Sequence, residues 1–231
     1  MPINLVKGQN HVLNMNIFHV GLGWDWDVNE DASSDDDFDL DVSAFMVNDT
    51  HKIPADDYLV FYNSEKRLKV YLDGKNKGKL VEPRKIYPYT AWATNDEMRA
   101  QSRPVDPEMS VIGSIDDEDG STSESGDDET MDIDLSKVRN DIQEIIITVS
   151  IHKYKERKQN FGQVERAYVR LYKQGQEAEG QGEFVYDLTE DFSACASVEF
   201  CRLYRRNNDW KIQATGIGHH GGLEELVEKY T

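Results

Sequence analysis

Short runs rich in β-branched and aromatic residues recur at close spacing along this chain: 17–22 (IFHVGL), 38–47 (FDLDVSAFMV), 57–62 (DYLVFY), 144–151 (EIIITVSI), 166–172 (RAYVRLY), 183–188 (EFVYDL), 197–205 (SVEFCRLYR) and 210–217 (WKIQATGI). Gly, Asn and Asp separate them, and no central segment repeats its apolar positions with a helical period. The pattern predicts a mostly β fold, a β-sandwich of two mainly antiparallel sheets. Residues 134–142 have room for a helical turn or two. The tail "LEELVEKY" places Leu223, Leu226, Val227 and Tyr230 at i, i+3, i+4 and i+7 after Gly221–Gly222, so a short amphipathic helix closes the chain. A length of 231 residues suits one domain spanning 1–231 with an insertion inside it.

The insertion is residues 64–105. It begins with basic residues (Lys66, Arg67, Lys69, Lys75, Lys77, Lys79, Arg84, Lys85) and continues into "IYPYTAW". A β-hairpin excursion with turns near Asp73–Gly74 and Lys77–Gly78 is expected. Basic residues among Tyr and Trp could form a nucleic-acid surface. The preferred reading is a solvated excursion that neutralises a neighbouring acidic face.

That acidic face is the second constraint. The net charge is −18, and it is concentrated. Residues 25–41 hold nine acids and residues 106–134 hold twelve, with no Lys or Arg in either stretch, while the remaining 23 acids are outnumbered by 26 bases. Such stretches repel phosphate backbones, so no nucleic-acid partner is expected; they attract cations. In "DFDLDVSAFMV" the alternation turns Phe38, Leu40 and Val42 to one face and Asp37, Asp39 and Asp41 to the other. Carboxylates so spaced, roughly 7 Å apart, repel by about 2.4 kcal/mol per pair at an effective dielectric of 20. The face is therefore open to water or occupied by a cation. Oxygen donors without His or Cys select Ca²⁺ or Mg²⁺. An EF-hand is excluded, because counting from Asp37 puts Val42 where Gly is required and Asn48 where Glu is required. Residues 106–130 are expected to form an acidic metal-binding loop, whose part 116–130 reads as disordered by composition alone.

Cys195 and Cys201 are the only cysteines. On one strand they would lie roughly 20 Å apart, too far for a disulfide, and they read as reduced and structural. No apolar run is long enough to cross a membrane, and the first residues lack the pattern of a signal peptide, so a cytoplasmic location is expected.

Six motifs then stand in order: "GLGWD" at 21–25, "DFDLDVSAFMV" at 37–47, "FYN" at 61–63, "GDDE" at 126–129, "VSIH" at 149–152 and "QNFGQVERAYVRLY" at 159–172. Together with the C-terminal third they make the chain resemble the TerD family, the tellurium-resistance and general-stress proteins of bacteria. The resemblance covers roughly 1–64 and 106–231. It implies a β-sandwich that binds two Ca²⁺ ions in adjacent acidic loops, with no demonstrated catalytic activity. Carried over by motif, the implied ligands are Asp25, Asp37, Asp39, Asp41, Asn63, Asp127, Asp128 and Glu129. Asp116 and Asp117 stand where the family usually has "GDN" and match it loosely. Nothing like residues 66–101 belongs to the family pattern.

The expected function is a calcium-binding, non-enzymatic stress-response protein that presents its ion-ordered loops to other stress-resistance proteins, at the membrane surface among other places. No small-molecule substrate is evident. The alternatives are a metal-dependent hydrolase built on the Asp cluster and an adaptor acting through residues 64–105. The hydrolase has no support from a nucleophile elbow, P-loop or zinc-protease motif. His219–His220 reads as part of the turn before the final helix.

Overall fold

The computed structural model describes residues 2–26, 39–88, 95–115, 127–178, 181–187, 192–207 and 209–231. Two six-stranded sheets face each other. The first, sheet A, runs in the order β1 (Ile3–Asn4), β13 (Phe184–Asp187), β12 (Val164–Tyr172), β3 (Ile17–Trp26), β10 (Glu129–Asp134) and β9 (Val111–Ile112). The second, sheet B, runs β2 (Asn10–Val12), β15 (Asp209–His219), β14 (Ser197–Arg206), β11 (Glu144–Ile151), β4 (Leu40–Val47) and β5 (Leu59–Val60). Within these two sheets every pairing is antiparallel except β1 with β13.

Period-two alternation explains the layers. Phe18, Val20 and Leu22 of β3, Met131 and Ile133 of β10, and Val169 and Leu171 of β12 meet Leu40, Val42, Ala44 and Met46 of β4 and Ile145, Ile147 and Val149 of β11 in one core. The opposite face of sheet B is also covered. The predicted helix forms as α3 (Leu223–Tyr230), and its Leu226 and Tyr230 pack on Phe45, Val47, Leu59 and Ile146. Each fully buried side chain of that size contributes about 1.5–3 kcal/mol. Buried on both faces, all eight residues of β4 are inaccessible. No helix forms over 134–142, where a turn after Leu135 leads toward β11.

Residues 64–105 hold more than the expected hairpin. β6 (Lys66–Lys69), β7 (Ile86–Pro88) and β8 (Ser102–Pro104) make a third, three-stranded sheet, preceded at β8 by the short helix α1 (Asn95–Ala100). The reason is a small core of its own, with Leu68, Val105 and Ile112 buried against Leu80, Ile86 and Met109. Both expected turn glycines, Gly74 and Gly78, have positive φ, at 68° and 80°. Arg67, assigned to the basic surface from sequence, is fully buried and donates to Tyr62 O at 2.7 Å and to Ser102 Oγ at 2.7 Å. Arg103 ties this sheet to sheet A, donating to Gly113 O at 2.6 Å, Asp132 Oδ2 at 2.9 Å and Thr130 O at 3.1 Å.

Candidate functional site

Three chain segments meet at one rim of the sandwich: the end of β3, the start of β4 and the start of β10. Two hydrogen bonds join them. Trp24 N–H donates to Asp128 Oδ2 at 2.9 Å, and Val42 N–H donates to Glu129 Oε2 at 2.5 Å. Glu129 sits on β10 in step with the inward-facing Met131 and Ile133, so its carboxylate lies at the end of the core and crosses from sheet A to sheet B. Residues 27–38 leave from β3 and return at Asp39, and residues 116–126 return at Asp127. Both acidic segments are thereby rooted at this rim.

The carboxylates of the rim divide by task. Both oxygens of Asp127 face Arg170, with Nε to Oδ1 at 2.7 Å and Nη2 to Oδ2 at 2.8 Å, and Tyr168 Oη donates to Oδ1 at 3.0 Å. Asp127 and Arg170 are both inaccessible. Burial and the Asp127 charge push the Tyr168 hydroxyl pKa well up. Arg170 is raised as well, with the pairing to Asp127 outweighing the burial that opposes it. This arrangement explains the glycines of "GLGWD". A Cβ on Gly21 would stand 2.1 Å from Asp127 Oδ2, and one on Gly23 would stand 2.4 Å from the Tyr168 ring. Asp127 therefore lies over the outer face of sheet A.

Asp41 faces the other way. It projects from the outer face of β4 into a pocket of about 260 Å³ closed by Leu223 and Glu224 of α3, and it is 3% exposed. His152 Nδ1 lies 3.5 Å from Asp41 Oδ2, and the His152 N–H donates to Asp39 O at 2.8 Å. The Tyr62 ring meets the His152 ring edge-on at 5.4 Å. Burial raises the Asp41 pKa, against the lowering influence of His152, Arg99 and Arg157. The bond to Asp41 raises His152, with burial opposing it.

The predicted alternation holds for Asp39 and Asp41 against Leu40 and Val42. The face is not open to water at these positions: Asp39 is only 8% exposed, and Asp41 lies beside His152. Asn63 is exposed in the turn beside Tyr62. Asp25 is opposite Glu165 in the β3–β12 pairing, and its side chain lies outside the described residues, as do Asp37, Asp116 and Asp117 entirely. Among the described residues no three His, Cys, Asp or Glu side chains converge closely enough to hold an ion. The expected acidic loop 106–130 is also not one loop, since β9 lies within it and β10 begins at Glu129. Asp106 is buried and accepts from the backbone of Glu108, Ser110 and Val111. Asp132 is held well below the usual carboxylate range by Arg103 and His19, although burial pulls the other way. His219 bridges Glu199 at 2.8 Å and Glu225 at 3.3 Å, a structural ion pair before α3.

The family model for the TerD domain matches residues 1–81 and 102–230. The chain belongs to the TerD family. It is 33% identical to a tellurium resistance protein TerD of Alcaligenes sp over 235 aligned positions, covering 100% of this chain and 97% of that one. It is 32% identical to general stress protein 16U of Bacillus subtilis, covering 100% and 97%. Among solved structures, a homologue of the telluride resistance protein from Streptomyces coelicolor A3(2) superposes with a TM-score of 0.55 at 14% identity, covering 93% of this chain and 96% of that chain; this likeness speaks to the fold. The TerD match leaves out 82–101 and the last residue, so β6 and β8 belong to the family frame while β7 and α1 are additions. TerD membership places the chain among tellurium-resistance and stress-response proteins, named for resistance rather than for a reaction. No helix among the described residues is long and apolar enough to cross a membrane.

Proposed function

We propose that this TerD-family chain is a non-enzymatic, cytoplasmic stress-response protein that binds Ca²⁺ at the acidic rim and offers the ion-ordered rim to other stress-resistance proteins, the membrane surface being one place where they meet. The observation that carries the reading is the pair of hydrogen bonds from Trp24 and Val42 to Asp128 and Glu129, which join the described flanks of the two acidic segments at one end of the sandwich. Those segments, 27–38 and 116–126, contain eleven acids and no Lys or Arg. Side chains that carry only oxygen donors suit a hard, flexible coordination sphere of six to eight ligands.

Asp41, Asp127 and Glu129 already serve internal partners and act as the frame. The donors would come from Asp25, Asp37, Asp39, Asp116, Asp117 and Asp128, with Asn63 at the neighbouring turn. When bound, the ion supplies charge neutralisation and a crosslink between the two segments. His152 holds the Asp39 backbone in place, and Glu129 fixes β10 against β4.

Isothermal titration of chelator-stripped protein with CaCl₂ tests this. The expected result is saturable binding in the micromolar range or tighter, weakened at least about tenfold, or about 1.4 kcal/mol, by Asp39→Asn with Asp128→Asn. Absence of heat, or unchanged affinity in the double variant, would refute the reading.

A further inference from the structure

The outer face of sheet B is only partly covered by α3. At the end of β4 away from the rim, the turn at 48–52 and the N-terminal turn at 6–9 stand over the same face. Together they enclose an open pocket of about 610 Å³, within the size range of small-ligand sites.

Its floor is apolar. Ile146 and Tyr230 are buried beneath it, and Ile217, at 43% exposure, is among the few large apolar side chains the described residues leave accessible. Its wall is charged, and the charge has a sign. The two acids of the lining are both neutralised from within. Glu144 is held by Arg202 at 3.0 Å and faced by His51 at 3.9 Å, and Glu199 is held by His219 at 2.8 Å and by Lys229. The cations are not matched in the same way. Lys52 Nζ reaches only a backbone carbonyl, that of Lys229, at 3.1 Å, and Lys7 Nζ has no partner among the described residues. Arg202 stacks over the Tyr204 ring at 4.8 Å and directs Nε to Gln213 Oε1 at 2.8 Å and Nη1 to Glu144, leaving Nη2 without a hydrogen-bond partner among the described residues. A net positive, apolar-floored concavity thus stands on a molecule of net charge −18.

We propose that this pocket binds a small organic anion, a carboxylate or phosphate carried on an apolar body. The apolar floor takes the body by burial. Lys7, Lys52 and the open edge of Arg202 take the charge, with a guanidinium edge suited to two-oxygen acceptors. A polyanion such as nucleic acid fits poorly, since the pocket offers only Lys7, Lys52 and one guanidinium edge to its phosphates.

The probe for the test is 8-anilinonaphthalene-1-sulfonate, with uncharged N-phenyl-1-naphthylamine beside it. Both are titrated into the full chain in chelator, which separates this site from the acidic rim. The expected result is one saturable site whose amide shift changes gather at Gly8, Thr50–Lys52, Ala214–Ile217 and Tyr230. Affinity for the sulfonate should fall about fivefold in the Lys7→Glu, Lys52→Glu double variant and by a similar factor at high salt, and the neutral probe should bind more weakly. Ile217→Asn should weaken both probes. All three positions are exposed, so the variants are expected to melt as the parent does. Shifts scattered over the surface, equal affinity for the neutral probe, or no loss in the lysine variant would overturn the proposal.

Discussion

Both oxygens of Asp127 face the guanidinium of Arg170, at 2.7 and 2.8 Å, in a place that water does not reach. Arg170 also donates to the carbonyls of Ala178 and Gln181, at 2.7 and 2.8 Å, so the pair links the start of β10 to the turn after β12. A buried pair of this kind is weak evidence of net stabilisation, but breaking it strands an uncompensated charge. Asp127→Ala should therefore lower stability by about 3–5 kcal/mol. Chemical denaturation in excess chelator is the measurement. The choice of condition matters, because an acid serving only as a calcium ligand would leave the stripped protein as stable as before, or more so. The double change Asp127→Leu with Arg170→Met should recover much of the loss, since it removes both charges together. The signal for this pair was present in "GLGWD", where two glycines alternate on one strand face. What sequence lacks is the partner, 43 positions further on at Arg170, so the same acid reads from motif alone as a ligand.

The additions to the family frame are β7 and α1, within residues 82–101, and their removal should be tolerated. β6 and β8 pair directly, Arg67 with Pro104 and Lys69 with Ser102, and Arg103 is anchored on sheet A, so the ends left by the excision remain held. Joining residue 81 to 102 through a short Gly linker should keep the β-sheet circular dichroism and move the melting temperature by only about 2–4 °C, equivalent to about 1 kcal/mol in a chain of this size. A fall well beyond that would make Met98, which is fully buried, part of the main fold rather than of the addition. The elements were legible to different degrees for physical reasons. Strands β3, β4, β11, β12, β14 and β15 announce themselves because buried β-branched and aromatic residues dominate them. β10 reads "ETMDID", an equally regular alternation, yet its outward acids merge it with the acidic run around it. β1 and β2, at two and three residues, are too short to carry a pattern. The third sheet depends on Leu68, Val105 and Ile112 meeting from distant positions, and the pocket over sheet B depends on six separate segments. Neither can be read locally.

Charge is segregated across the molecule along a single strand. Asp41 pairs in register with Ser150 at the rim, and Val47 pairs with Glu144 beside the cationic pocket, six residues and roughly 20 Å away. At physiological salt the Debye length is about 8 Å, so the two ends respond to ions almost independently. Simple screening and specific coordination then separate by experiment. If the rim only suffers repulsion, NaCl, MgCl₂ and CaCl₂ at equal ionic strength should raise the melting temperature alike. If the eleven acids of 27–38 and 116–126 contribute to a coordination sphere, the order should be Ca²⁺ above Mg²⁺ above Na⁺, because Mg²⁺ demands a strict octahedron and gives up its water reluctantly. At a hundredfold excess over Kd, mass action supplies about 2.7 kcal/mol, which corresponds to roughly 5–11 °C for a domain of this length. Differential scanning calorimetry reads the ranking directly. Equal shifts for the three salts would leave the rim a solvated acidic surface, while anion binding at the far pocket, screened from it, should stay the same with or without calcium.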